Sequence, residues 1–360
     1  MPLSNEIKEK VSLEVIKVLV SRFDSFPEDA SNNRNAPFHE AFLNAFSDRL
    51  EGKVSDTPFF ISLSSWLQGL NTTLGQSFFE HVAHHLCGGE KREYTSKKLG
   101  NLKVSQQQRN NIAKIIADIS NGAATPNLQQ EDELLFQRDN TPLIDAFDFS
   151  ADVYFETDMH VVAIELKSVK PNSGEMRGEK QKILEGKAAL YHLYPHKKVQ
   201  FYIGFPFDPT VDPKKEDITS FSKSRFLDSI ININKFFASD ETLVASELWD
   251  FLANEKNTME ELLEIINTIS TPSFLDKYKF LVDTSKRETP ECLEQLKEWN
   301  LFSEIELIEN DLTILVSLSD NSLNGSSLNS SLIKVYHKMP FKSTGEYNWE
   351  RYYTLKKLMD

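Results

Sequence analysis

The chain has 360 residues, of which 40% are hydrophobic and 26% charged, and a formal net charge of −14. This length and composition exclude a disordered chain and predict a folded globular protein with a sizeable core. The acidic balance excludes nonspecific coating of nucleic acid, but a local basic cleft could still bind DNA.

The first third of the chain predicts helices. Apolar residues recur at helical spacing over residues 11–23, 59–86 and 105–119. We therefore expect residues 1–125 to form a mostly helical N-terminal part. The charged first ten residues contain no apolar signal-peptide core, and no run of about 18 apolar residues could span a membrane.

Cysteine use predicts the cellular setting. Only two cysteines occur, Cys87 and Cys292, and they lie far apart in the sequence. Such sparse use is typical of proteins in a reducing compartment, so we expect a cytoplasmic protein without disulfides. Cys87 follows His81, His84 and His85, but zinc is not favoured because no second ligand cluster is visible.

The middle of the chain, residues 126–255, shows short β-rich runs. They lie at 145–155, 160–169 and 198–207, with apolar residues at helical spacing between the last two. Strand, helix, strand favours a right-handed parallel crossover, and the first two runs are close enough for an antiparallel hairpin. The sequence therefore predicts an α/β fold whose mixed central sheet is flanked by helices.

Residues 256–360 predict a C-terminal elaboration with a role in DNA recognition or dimerisation. Within it, residues 304–318 could form a hairpin turning at Asn310 and Asp311, and the Ser- and Asn-rich residues 319–331 predict a mobile loop. Basic and aromatic residues interleave over 334–357, which fits either a DNA grip or the edge of a core or dimer contact; we favour the second interpretation.

The hairpin within residues 151–167 carries the sharpest chemical pattern. A turn at its middle puts Asp152 across from Glu165, and Lys167 shares their face because side chains alternate with period two. Two carboxylates this close would repel unless a cation lay between them, and Mg²⁺ prefers oxygen ligands. The pattern predicts metal-assisted phosphodiester hydrolysis, in which Lys167 holds the scissile phosphate or activates the attacking water.

These residues resemble a known signature. Asp152 followed by Glu165-Leu166-Lys167 resembles the PD-(D/E)xK nuclease motif, with Ala151 where that motif names proline. The longer stretch ELKSVKPNSGEMRGEKQKIL, with the later YIGFPFDP, is similar to the TdeIII-type restriction endonucleases. The resemblance covers roughly residues 145–210.

The resemblance implies a PD-(D/E)xK restriction-endonuclease-like core and a Mg²⁺-dependent type II enzyme. Such an enzyme cuts both strands of a short palindromic site in double-stranded DNA, here GGNCC-like, as a homodimer and leaves 5′-phosphates. It implies that Asp152 and Glu165 are the metal ligands and Lys167 the catalytic lysine. A cognate DNA methyltransferase is the implied genetic partner, and no membrane is involved.

Four further residues are candidates for the site. Glu80 could supply a helical acid beside it, or be a solvent-facing helix residue. Lys170, Arg177 and Lys180 could contact phosphates flanking the cut, which would position DNA without reading its sequence. The alternative for these cations is a solvated helix face.

Alternatives to restriction activity also fit the sequence. A repair or structure-selective nuclease on the same fold would cut branched or damaged DNA without sequence preference. A non-catalytic DNA-binding module could retain the fold alone. The motif itself could be ordinary, with Asp152 capping a strand while Glu165 and Lys167 form a surface pair, because D…ExK strings arise by chance.

Overall fold

The computed structural model describes residues 2–27, 37–54, 56–137, 139–167, 173–323 and 327–359. By its contacts the chain forms two compact units. The sheet unit comprises Met1–Leu3 and Phe79–Glu261, and the helical unit comprises Ser4–Phe78 and Leu262–Asp360. None of the described helices has the length and apolar character needed to cross a membrane.

The elements follow in chain order. The helices are α1 (Asn5–Phe23), α2 (Pro37–Leu43), α3 (Ser47–Leu50), α4 (Thr57–Thr73), α5 (Phe79–Cys87), α6 (Gln106–Ser120), α7 (Leu128–Leu135), α8 (Ser173–Leu193), α9 (Lys223–Ser229), α10 (Ile233–Phe236), α11 (Ser246–Ala253), α12 (Thr258–Ile269), α13 (Phe274–Val282), α14 (Pro290–Glu298), α15 (Phe302–Glu309), α16 (Asp311–Leu323), α17 (Ser327–Tyr336) and α18 (Trp349–Lys356). The strands are β1 (Glu90–Tyr94), β2 (Lys103–Ser105), β3 (Leu143–Asp145), β4 (Phe149–Glu156), β5 (His160–Leu166), β6 (Lys198–Phe205) and β7 (Thr242–Val244).

A five-stranded mixed sheet in the order β1-β4-β5-β6-β7 organises the sheet unit. The pairs β1–β4 and β4–β5 are antiparallel, whereas β5–β6 and β6–β7 are parallel. Helix α8 connects β5 to β6, and β2 pairs with β3 in a separate two-stranded sheet. The predicted α/β fold, with its hairpin, crossover helix and mixed central sheet, is confirmed.

The central position of β5 explains its sequence. Residues Val161 to Leu166 are all buried, and this strand has neighbours on both edges. A strand covered on both faces reads as a continuous apolar run rather than an alternating one. Glu165 is the single charged residue in that run, so its burial needs a compensating partner.

Two positions in the sheet unit require glycine, one for close packing and one for a positive φ. A Cβ on Gly186 of α8 would lie 2.6 Å from the Phe201 ring and 3.0 Å from the Phe149 ring, so only glycine lets the helix pack this tightly on β4 and β6. Gly88 ends α5 with φ +65°, a left-handed conformation that glycine adopts at low cost. The chain then turns directly into β1.

The two units divide the chain differently from the three predicted segments. The predicted first segment, residues 1–125, is split, because residues 79–125 group with the sheet and α1 to α4 group with the C-terminal helices. Within the helical unit, the Glu9 carboxylate of α1 accepts hydrogen bonds from the Ser303 amide (2.7 Å) and hydroxyl (2.8 Å). The N-terminal helices and the C-terminal elaboration therefore form one folded unit.

The predicted hairpin over residues 304–318 is wrong. The segment forms helices α15 and α16, with Asn310 as the break between them. Asp311, Ile314 and Leu318 are buried at spacings of three and then four residues, which fits one face of a helix and not the two-residue period of a strand. The predicted loop at 319–331 is also helical at both ends, in α16 and α17, and residues 324–326 lie outside the described part of the chain.

The interleaved basic and aromatic segment near the C-terminus belongs to a core. Phe341, Tyr347 and Tyr352 are buried, and Arg351 is 1% exposed. The Arg351 guanidinium donates to the Glu304 carboxylate at 2.6 Å. The favoured interpretation of this segment, the edge of a core, is confirmed for these residues.

Candidate active site

The hairpin of β4 and β5 has the predicted register. Val153 pairs with Ile164, so the next position puts Asp152 across from Glu165. The Asp152 carboxylate accepts a hydrogen bond of 2.9 Å from the Leu166 amide, at the end of β5. Backbone pairing thus brings both acids to one end of the sheet and fixes one of them to the neighbouring strand.

Glu165 is the most buried acid of this hairpin, with 6% of its surface exposed. Its carboxylate lies 2.6 Å from the Lys182 ammonium and 3.2 Å from that of Lys167. Burial raises the pKa of Glu165, and the nearby charge of Asp152 raises it further, while the two lysines act to lower it. The net pKa is raised, with burial as the largest cause.

Lys167 is held between two carboxylates. Its ammonium donates to Glu179 at 2.7 Å and to Glu165 at 3.2 Å. Burial acts to lower the pKa of Lys167, but the two carboxylates outweigh it and the pKa lies above its ordinary value. Lys167 is therefore a stable cation here, which suits the holding of a phosphate better than the removal of a proton from water.

Helix α5 and strand β1 add a fourth acid and a third lysine. The Lys91 ammonium lies 3.1 Å from both Glu80 oxygens and 3.1 Å from an Asp152 oxygen. Burial raises the pKa of Glu80, and the charge of Asp152 raises it further. Glu80 thus faces Asp152 and is not the solvent-facing residue that was its alternative.

Together these side chains form what we call the carboxylate–lysine network. Its members are Glu80, Lys91, Asp152, Glu165, Lys167, Glu179 and Lys182. Helix α5, strand β1, helix α8 and the end of the hairpin supply it, and each of its three lysines contacts two of its acids. Such an arrangement is more than the isolated surface pair that was the alternative for Glu165 and Lys167.

The donor set of the network fits a hard cation. Asp152 and Glu165 offer carboxylate oxygens at one end of the sheet, and Mg²⁺ typically uses one or two carboxylates together with water and substrate phosphate. Over the described residues, no group of three or more His, Cys, Asp or Glu side chains could hold a metal ion. The network therefore suits an ion held by two acids rather than a closed protein cage.

His84 supports the hairpin instead of offering a metal ligand. Its Nε2 lies 2.7 Å from the backbone carbonyl oxygen of Asp152, and burial lowers the pKa of His84. A neutral imidazole at this position can donate to that carbonyl and restrain β4. Nearby, the Cys87 thiol donates to the Ala83 carbonyl within the same helix.

The predicted phosphate contacts have different outcomes. Arg177 is exposed on the first turns of α8. Lys180 is fully buried, and its ammonium lies 2.5 Å from Glu131 and 2.6 Å from Glu241. A phosphate could reach it only if two buried carboxylates lost their partner, so the prediction for Lys180 does not fit. Lys170 lies outside the described residues.

Three members of the network were missed by the sequence reasoning. Glu179 and Lys182 are three residues apart on α8 and follow the motif closely, so helical spacing with one face turned to the hairpin could have indicated them. Lys91 comes from an edge strand whose pairing with β4 is interrupted by an irregularity between residues 90 and 92. No sequence pattern indicates that register.

Comparison with known proteins identifies the family. The model of the family described as type II restriction endonuclease, HinfI, matches residues 3–270. A relative named type II restriction enzyme MjaII, from Methanocaldococcus jannaschii, is 44% identical over 324 residues, which is 85% of each chain. The finer resemblance, to TdeIII-type enzymes, is not the family that this match identifies. The chain belongs to the HinfI family of type II restriction endonucleases, a family of DNA-cleaving enzymes.

Proposed function

We propose that this chain cuts both strands of duplex DNA at a short specific site, with the carboxylate–lysine network as its active site. The observation that carries the proposal is the convergence of Asp152, Glu165 and Lys167 at one end of a buried hairpin. This is the set of groups that phosphodiester hydrolysis by a metal-activated water requires. It also supports membership of the PD-(D/E)xK superfamily.

The two acids of the hairpin would hold Mg²⁺. Bound there, the ion would neutralise negative charge that develops on the phosphate and acidify the attacking water. Asp152 is fixed by the Leu166 amide, and Glu165 is buried with a raised pKa, so both are placed to favour a cation. Glu80 would add negative charge next to Asp152.

Lys167 would hold the scissile phosphate. Its pKa is raised, so it is an ammonium at neutral pH and can donate to a phosphate oxygen. Glu179 accepts a hydrogen bond of 2.7 Å from the Lys167 ammonium, which orients the lysine side chain. The Lys182 ammonium lies 2.6 Å from the Glu165 carboxylate and offsets part of its negative charge.

Substitution of Lys167 tests the proposal. Lys167→Ala should lower the rate of plasmid cleavage with Mg²⁺ by about 10²- to 10³-fold and leave DNA affinity nearly unchanged, since the lysine acts mainly on the charge of the reacting phosphate. Lys198→Ala, an exposed lysine at the start of β6, is the matched control and should cut like the wild type. Undiminished cleavage by a clean Lys167→Ala preparation would overturn the assignment of this site.

The products test the restriction activity itself. Discrete fragments from a plasmid support cleavage at a fixed site, whereas a smear supports the repair or structure-selective nuclease, and no loss of DNA with Mg²⁺ supports the non-catalytic module. Sequencing of the fragment ends would show whether the site is GGNCC-like and whether 5′-phosphates remain. We also propose a homodimer, which sedimentation would test, and a cognate methyltransferase that protects host DNA.

A further inference from the structure

Most lysines that follow β5 and lie on α8 are held by acids and offer few cations to DNA. Lys180 forms ion pairs in the interior, and Lys187, which is 1% exposed, pairs with Asp132. Lys167 and Lys182 are held by acids of the network. An enzyme of net charge −14 nevertheless needs cations for the phosphates that flank the cut, because such contacts provide much of the affinity for DNA.

A groove beside β1 supplies cations elsewhere. It encloses about 790 Å³ and is lined mainly by β1 and the loop that follows it. Its charged lining consists of Lys91, Arg92, Lys97, Lys98, Glu90 and Glu93. With four cations and two acids, the lining of the groove has a net charge of +2, although the chain as a whole is strongly acidic. We call this the β1 groove.

The β1 groove begins at the active site. Lys91 lines it and also contacts Glu80 and Asp152 in the network. Tyr94 at the end of β1 pairs with Phe149 at the start of β4, three positions before Asp152. Because β5 runs antiparallel to β4, this is also the end at which Lys167 follows β5. The loop after β1 therefore leaves the sheet at the active-site end.

Two lysines on that loop are available for a ligand. Lys97 is exposed and has no hydrogen bond or ion pair to another described residue. Lys98 is 63% exposed, and among the described residues its ion pair is with Glu93, at 3.5 Å. Surface pairs of this kind contribute little free energy and exchange readily for another anion. Arg92 is less free, since it donates to Glu90 at 2.7 Å and lies over the Tyr154 ring.

We propose that the β1 groove binds the phosphate backbone of the DNA strand next to the scissile phosphate, with Lys97 and Lys98 as the contacting residues. The proposal rests on the proposed active site, because that site fixes where the scissile phosphate lies. Lys91 and Tyr94 are three residues apart on β1, a span of about 10 Å. That span equals roughly three base steps at about 3.4 Å each. Lys97 and Lys98 follow Tyr94 in a turn that the Lys98 amide closes on the Thr95 carbonyl at 3.1 Å, so the contacts fall within a few nucleotides of the cut.

The dependence of DNA binding on salt tests this proposal. A Lys97→Ala/Lys98→Ala double variant is compared with Lys214→Ala/Lys215→Ala, which removes another adjacent, exposed pair of lysines from the sheet unit. Affinity for a labelled duplex is measured without divalent ions, between about 50 and 200 mM KCl, with and without the mapped site. Circular dichroism shows that each variant is folded.

Loss of two phosphate contacts should make the slope of log K against log salt about 1.8 shallower and weaken binding on the order of tenfold per lysine at 0.1 M salt. Both duplexes should lose affinity equally, because phosphate contacts carry no sequence information. The control pair should keep the wild-type slope.

Two results would overturn the β1 groove as a backbone site. One is a wild-type slope in the Lys97 and Lys98 variant, and the other is a loss restricted to the duplex that carries the site. If the Lys97 and Lys98 variant gives either result while Lys167→Ala loses cleavage as expected, only the groove assignment is wrong. If Lys167→Ala cuts normally while the slope falls as expected, the active-site assignment fails and the groove still binds DNA.

Discussion

Lys91 contacts the Asp152 carboxylate, which we propose as a ligand of the cation. Its ammonium lies 3.1 Å from that acid and from both oxygens of Glu80. Burial acts to lower the pKa of Lys91, but these two acids raise it overall, so the side chain keeps its charge. It is both a structural counter-ion for the two acids and a competitor for their oxygens.

Replacement of Lys91 by methionine should therefore strengthen cation binding. Without the ammonium, Asp152 and Glu80 create a more negative local potential, and the affinity for Mn²⁺ measured by calorimetry should rise several-fold. Lys103→Met is a suitable control, because that exposed lysine pairs with Asp145 in the other sheet. Unchanged or weaker Mn²⁺ binding would show that Lys91 does not compete for the acids.

The hairpin residues of the site could be predicted from sequence, and the others could not. Asp152, Glu165 and Lys167 lie within sixteen positions of one another, so local strand pairing determines where their side chains point. Lys91 and Glu179 come from elements whose placement depends on tertiary packing. Their contacts with the site follow from the docking of β1 and α8, which no local pattern specifies.

Helix α8 carries lysines on opposite sides, with opposite roles. Lys182 reaches the network, whereas Lys180 lies fully buried between Glu131 and Glu241 and near the Phe237 ring. Burial raises the pKa of Glu131, and Glu241 raises it further, while Lys180 acts to lower it. This buried trio ties α8 to α7 and to the chain just before β7.

Replacement of Lys180 by methionine should destabilise the fold by about 3–5 kcal/mol at pH 7.5, since two buried acids lose their partner. The pKa of Glu131 is higher in the folded state than the unfolded value of 4.5. The folded state therefore gains stability as the pH falls from the folded-state pKa towards 4.5. The deficit of the variant should therefore shrink at pH 5, as urea unfolding would show.

Arg177→Met is the control for this substitution, because Arg177 is exposed on the same helix. It should leave the unfolding midpoint nearly unchanged at both values of pH. A Lys180→Met variant of normal stability, with a shallower salt dependence of DNA binding, would instead support the phosphate contact that the sequence suggested.

The three central strands β4, β5 and β6 were predicted from the sequence, whereas the edge strands β1 and β7 and the helices α15 and α16 were not. The β5 run is apolar and short, with a charged motif at its end, which is typical of a central strand. Residues 304–307 read Glu-Ile-Glu-Leu, an alternation that mimics a strand over four positions. Helical burial becomes evident only further on, where Asp311, Ile314 and Leu318 are buried at spacings of three and four residues.

At the scale of the whole molecule, the sheet unit is nearly continuous in sequence, whereas the helical unit is not. All seven members of the network lie between Phe79 and Glu261. A fragment of residues 79–261 should therefore fold and bind Mn²⁺, although it lacks residues 4–78. Circular dichroism and calorimetry on the fragment would check this, and an unfolded fragment would show that the site needs the rest of the chain.

The discontinuity of the helical unit has a consequence for the order of events on the ribosome. Helix α1 leaves the exit tunnel long before Ser303, whose amide and hydroxyl bind its Glu9. The hydrogen bonds of Glu9 with Ser303 cannot form until nearly three hundred further residues have been translated. The sheet unit waits for nothing beyond Glu261, so the residues of the carboxylate–lysine network can come together before Glu9 of α1 meets Ser303.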